Sequence, residues 1–197
     1  RYESYLDPLL GYPGEFQGSG IGYRFAAWEN EGLQVVVGNF YEQFGSGMLL
    51  RAYEERTLGL DNAFDGVKVA YKPADGIQLK GLVGKQRFQF NNRLINSEGL
   101  VRGFDGEISL GELFAPIMID STELNVRIGG SFVSKFNDDN TTTTFDLPKN
   151  VGAYAGRIDM NYNGFRFFGE YSYKENDPYP TSGDFNDPFH YNYQYGE

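Results

Sequence analysis

The chain has no cysteine and a single histidine, His190, in 197 residues. Without cysteine there is no disulfide framework, no thiolate metal ligand and no thiol nucleophile. One histidine excludes a multi-histidine zinc centre. A Ser–His hydrolase would depend on His190, and no acidic residue is placed by sequence to orient it. Basic residues are also scarce: 17 Lys and Arg stand against 27 Asp and Glu, a net charge of −10. Nucleic-acid binding rests on neutralising phosphates, so that partner is excluded. No run of 18 apolar residues occurs, so no transmembrane helix is expected. Gly45-Ser46-Gly47 lacks the strand–loop–helix setting of a phosphate site. No cofactor and no metal centre is expected, and the chain does not read as an enzyme.

What is present is aromatic and glycine-rich. Phe, Tyr and Trp make up 17% of the chain, too many for disorder and suited to strands. The 26 glycines are nearly double the usual share of about 7%. Period-two alternation recurs throughout. Over 164–174, Phe165, Phe167, Tyr171 and Tyr173 share one face, opposite Arg166, Glu170 and Lys174. Over 124–136, Leu124, Val126, Ile128, Phe132 and Phe136 oppose Asn125, Arg127, Ser131 and Lys135. The pattern predicts strands over 1–6, 21–29, 33–41, 64–73, 77–90, 100–112, 124–136, 151–162, 164–174 and 190–197.

Three turns set the register. Tyr162-Asn163-Gly164-Phe165 predicts a two-residue type I′ hairpin, because Asn-Gly accepts the positive φ that both central positions need. Asn30-Glu31-Gly32 and Ala74-Asp75-Gly76 predict three-residue hairpins. The first would pair Ala27 with Val35 and Phe25 with Val37; the second, Tyr71 with Leu79 and Val67 with Val83. Long loops are then expected at 7–20, 42–63, 91–99, 137–150 and 175–189, alternating with short turns at 30–32, 74–76 and 163–164 and an intermediate connection at 113–123.

This asymmetry predicts an all-β, antiparallel up-and-down meander of about ten strands, forming a transmembrane β-barrel or a segment of one. Short turns would lie on the periplasmic side, with Tyr71, Tyr162 and Phe165 in an aromatic girdle. A polar face carrying Arg24, Lys68, Lys80, Asp105, Glu107, Arg127, Arg157, Asp159, Arg166 and Glu170 would face the lumen. The competing expectation is a soluble extracellular β-sandwich that binds carbohydrate through exposed aromatics, since alternation in a soluble sheet looks the same. Lys85 and Arg87 fall on the apolar face and speak against lipid there, although Lys85 could snorkel to the headgroups.

Several blocks carry a resemblance: RYESYLDPLLG at 1–11, GNFYEQFGSG at 38–47, RAYEERTLGLDNAFDG at 51–66, GLVGKQRF at 81–88, GGSFVSKF at 129–136 and LPKNVGAYAGR at 147–157. Together they resemble a Bacteroidota family of predicted outer-membrane β-barrels with no established activity. In that family the matching region is internal, which implies that this chain is part of a larger barrel. The resemblance also implies an outer-membrane location in a Gram-negative bacterium. Expected partners are outer-membrane lipid and other outer-membrane or periplasmic proteins.

The most unusual segment is 38–63, where charged and apolar residues mix. Glu42, Arg51, Glu54, Glu55 and Arg56 are the candidates for a lumen or loop constriction, because rings of charge set selectivity in pores. The blander expectation is a plug held to the wall by salt bridges. Asp105 and Glu107 share a strand face and are expected in a salt-bridge ladder with Arg127 and Lys135. Asn137-Asp138-Asp139-Asn140 and Asp184-Phe185-Asn186-Asp187 hold clustered oxygen ligands without an EF-hand pattern; both read as solvated acidic loops, and Thr141 to Thr144 as an exposed low-complexity run.

Overall fold

The computed structural model describes residues 1–5, 16–114, 124–137 and 148–175, without the side chains of Arg56 and Phe114. Its strands are β1 (Tyr2–Tyr5), β2 (Phe16–Ile21), β3 (Phe25–Asn30), β4 (Leu33–Phe40), β5 (Glu54–Glu55), β6 (Leu60–Asp61), β7 (Phe64–Ala74), β8 (Ile77–Asn91), β9 (Leu94–Ser109), β10 (Asn125–Phe136), β11 (Asn150–Tyr162) and β12 (Phe165–Lys174). A short helix, α1 (Leu110–Phe114), follows β9. The main sheet runs β12-β11-β10-β9-β8-β7-β4-β3, antiparallel throughout, with β2 added parallel to the end of β8 and β1 paired to β2. β5 and β6 form a separate two-stranded piece. The meander is as expected; the sheet is open, with β3 and β12 at its two ends among the described residues.

Turn chemistry fixes much of the register. Tyr162 pairs with Phe165 around Asn163 (φ 45°) and Gly164 (φ 80°), the type I′ hairpin expected. Tyr71 pairs with Leu79 and Val67 with Val83, also as expected, but Ala74 pairs with Ile77, so Asp75 and Gly76 (φ 77°) alone make the turn and a shift in the ladder between Tyr71 and Ala74 restores the expected pairing. The first hairpin differs. Asn30 pairs with Leu33, and Glu31 (φ 45°) and Gly32 (φ 78°) alone make the turn. Trp28 therefore faces Val35, and Ala26 faces Val37, one residue from the expected register. The neighbouring strand decides this: Val35 and Val37 stand beside Val69 and Val67, and the observed register adds Trp28 to that apolar row.

Other boundaries are corrected. Residues 91–99 are not a long loop, because β8 and β9 run on to a tight turn with Phe90 opposite Leu94. Backbone pairing does not depend on side-chain polarity, and the Asn- and Ser-rich composition hid the strand. The strict alternation of long and short connections is lost at that point. Residues 16–20, expected in a loop, belong to β2, 22–24, expected in a strand, lie between β2 and β3, and 110–112, expected in a strand, belongs to α1. The loop 42–63 contains β5, β6 and a 3-10 turn at Arg56–Leu58. The strand expected at 190–197, His190, both acidic clusters apart from Asn137, the threonine run and most of 113–123 and 175–189 lie outside the described residues.

The two faces of the sheet differ sharply. Directly opposed residues face the same side, so the pairings trace one row from Trp28 through Val35, Val69, Gly81, Phe104, Phe132 and Tyr154 to Tyr173. Apart from the half-buried Val35, its large side chains are bare, from 36% exposed at Val69 to 57% at Tyr173. The other face is covered by the segment after β4. There Val36, Phe40, Phe64, Leu82 and Val101 meet Phe44, Leu50 and Ala52 in a small core, with Val133 packed against it.

Candidate functional site

The segment 41–53 crosses the covered face and brings its charges against the sheet. Glu42 sits between two lysines, 3.1 Å from Lys68 Nζ and 2.9 Å from Lys80 Nζ. Burial works against its charge, but the two ammonium groups prevail and hold the carboxyl below its ordinary value. Phe44 is fully buried in a gap opened by Gly103, where a Cβ would lie 2.7 Å from the ring. At the tip, the Ser46 amide donates to Glu170 Oε2 at 3.1 Å.

The other candidates do not gather into one ring. Arg51 is exposed and stacks its guanidinium on Tyr53, 4.5 Å from the ring centroid. Glu54 accepts from Arg1 Nη1 at 2.7 Å. Glu55 accepts from the Thr57 amide and hydroxyl, and these bonds lower its carboxyl. The side chain of Arg56 lies outside the description. Among the described residues of 41–53, Glu42 is the one held to the main sheet by ion pairs.

Two further ionic groups flank the segment. In the first, Arg87 is wholly buried, with Nη2 2.6 Å from Glu3 Oε2 and Nη1 2.7 Å from Asp61 Oδ2. Its guanidinium lies near the rings of Phe16 and Phe90. Arg1 joins the same acids at 2.7 and 2.9 Å. Burial pushes Glu3 upward, yet the hydrogen bonds from Arg87 and Arg1 outweigh it and hold the carboxyl at about 2. Burial and the bond it donates to Glu3 push the Tyr5 phenol up to about 12. This corrects the expected placement of Arg87 on the apolar face. Register shifts on both sides of it, between Lys85 and Arg87 and between Arg87 and Gln89, turn its side chain inward. Lys85 stays exposed. Sequence reasoning missed this cluster, although a lone arginine on an apolar face was its signal.

The second group corrects the expected ladder. Asp105 and Glu107 pair with Arg157, at 2.7 and 3.2 Å, rather than with Arg127 and Lys135. Arg157 reaches them across the intervening strand because Gly129 has no side chain; a Cβ there would lie 2.5 Å from its guanidinium carbon. Arg127 pairs instead with Glu112 of α1, loosely, at 3.6 Å. Ser131 donates to Asp105 at 2.6 Å and completes the group.

The family model described as a family of unknown function (DUF6029) matches residues 1–197. The chain belongs to this family. No curated protein and no solved structure matches it. In this DUF6029 member, cavities of about 180 and 370 Å³ lie along the covered face, the smaller under the tip at Gly45 and Ser46. Both are lined by Glu107 and Arg127. Among the described residues no group of three or more His, Cys, Asp or Glu side chains is arranged to hold a metal ion.

Proposed function

We propose that this chain is a stretch of outer-membrane β-barrel wall, a non-enzymatic protein acting as a pore or a structural barrel, in keeping with the resemblance to Bacteroidota barrels. The supporting observation is the reversed polarity of the sheet: its apolar row is bare while the Arg87–Glu3 and Arg157–Asp105 ion pairs are buried on the other face. A soluble sheet gains its stability from the opposite arrangement.

The dimensions agree with this reading. On β11 the bare-face positions run from Tyr154 to Tyr162, roughly 27 Å along the strand at about 3.4 Å per residue. Tilted by about 40°, that span approaches the apolar band of about 25 Å typical of such barrels. Tyr71, Tyr162 and Phe165 end the bare face at the short turns, where an aromatic girdle belongs. The spanning strands in this reading are β3, β4 and β7 to β12, and their lipid-facing partner is the bilayer itself. Closure would join the edges of β3 and β12, directly or through further strands. Other envelope proteins remain expected partners.

Detergent phase separation and gel mobility test the proposal together. A barrel enters the detergent phase and migrates differently before and after boiling. A chain that stays in the aqueous phase with unchanged mobility overturns the reading and favours the soluble carbohydrate-binding sheet.

A further inference from the structure

We infer that Tyr41–Tyr53 is a releasable plug that closes a polar passage along the covered face; the inference rests on the membrane-barrel reading above. The segment carries its own backbone bonds. Ala52 N donates to Glu42 O at 2.8 Å, Phe44 N to Leu50 O at 3.0 Å and Gly47 N to Phe44 O at 2.8 Å, and Gln43 bridges to Arg51. It can therefore lift as a unit without breaking its internal ladder.

At its two ends Tyr41 donates to Asp61 Oδ1 and stacks on Tyr23, and the Asn62 side chain bonds the Tyr53 amide and the Arg51 carbonyl, so both ends stay anchored; its ties to the main sheet lie between them. Lys68 and Lys80 hold Glu42 and the carbonyls of Tyr41 and Gln43. Phe44, Leu50 and Ala52 supply the apolar contact, and Phe44 alone enters the Gly103 gap. The contact at the tip is light. Glu170 Oε2 takes the Ser46 amide, but Oε1 is buried there with no hydrogen-bond partner. The backbone covers it so closely that a Cβ on Gly45 would lie 2.9 Å away.

Release has a structural consequence. The cavity under the tip and the larger one reaching Gly76 and Gln78 share Glu107 and Arg127, so together they form a charged groove along the sheet. The plug's apolar contact with Leu82 and Val101 interrupts that groove at the level of Phe44. Lifting the segment would free Lys68 and Lys80 to line that groove with Glu107 and Arg127, charges suited to hydrated ions and small polar solutes, at the cost of uncovering Val36, Phe40, Leu82 and Val101 beside them.

The test uses the full chain with two variants. Gly103→Val fills the Phe44 gap with a residue that strands favour, and Glu42→Gln removes the charge between the lysines while leaving the core intact. The readouts are conductance in planar bilayers with potassium chloride and the rate of trypsin cleavage after Arg51. Both variants are expected to raise conductance and to speed cleavage roughly tenfold, with the β-sheet circular dichroism unchanged. Should Gly103→Val not fold, Glu42→Gln carries the test. Inserted protein whose conductance and cleavage rate stay at the parent values overturns the plug. A parent protein that does not enter the bilayer overturns the barrel reading instead.

Discussion

Arg157 on β11 holds Asp105 on β9, two strands away, with Nη1–Oδ1 at 2.7 Å and Nη2–Oδ2 at 3.2 Å. A bidentate pair of this kind is among the stronger side-chain contacts, and its reach depends on an empty position between the two strands. Gly129 is that position.

Gly129→Val should therefore displace the guanidinium and leave two carboxylates poorly paired. The expected loss is about 3 kcal/mol, in the range for breaking a covered ion pair. Gly130→Ala is the control, since its Cβ meets nothing closer than Ala155 O at 3.7 Å. Urea titration in detergent should separate the two variants; equal midpoints would show that Gly129 is not a passage for Arg157.

The bare face should behave as a lipid surface with a definite depth. Ile158→Arg, near the middle of β11, should cost about 2–4 kcal/mol, and Tyr162→Arg, at the turn, about 0–1 kcal/mol. The measurement is folding into lipid vesicles at graded urea. In a soluble sheet the order would vanish, because an arginine on an exposed face is harmless at either position.

Glu3 predicts an acid limb of stability. Its folded carboxyl titrates at about 2, below the ordinary 4.5. The stabilisation is complete above the unfolded value and is lost as pH falls from about 5 towards 2. It amounts to about 3 kcal/mol at neutral pH. Glu3→Gln should remove most of that slope from the unfolding midpoint measured against pH, and an unchanged slope would assign it elsewhere.

The two type I′ turns should differ in tolerance. Gly164→Ala meets open space and has only the positive φ to contend with, about 1–2 kcal/mol. Gly32→Ala has the same φ problem and also places its Cβ 2.8 Å from Lys72 O. Thermal unfolding should rank Gly32→Ala as the less stable of the two.

Local chemistry made part of this fold legible in advance. Asn163-Gly164 fixed its turn because both positions accept positive φ; Tyr71 meets Leu79 as expected, though through a two-residue turn at Asp75-Gly76 and a shift in the ladder rather than a three-residue turn. Glu31-Gly32 misled because glutamate is a poor candidate for positive φ, and only the valines of β7 show which register holds. Of the strand Leu94–Ser109, residues 100–109 were legible, and 94–99 were hidden for a different reason, since they pair through backbone atoms beneath a polar composition. Of the site, the segment 38–63 was visible as unusual, with Glu42 among its candidates, and Lys68 and Lys80 were legible on the polar face.

The amino-acid sequence by itself determined the alternation of faces, the hairpin turns and the absence of thiol and multi-histidine chemistry, because each depends on residues close together in the chain. Tertiary structure alone decided who pairs with whom across the sheet. Two irregularities in β8 turn Arg87 inward to Glu3, 84 residues away. A missing side chain at Gly129 routes Arg157 to Asp105, and another at Gly103 admits Phe44. Those contacts arise where distant strands leave room or remove it, and packing space of that kind is set only when the sheet has formed.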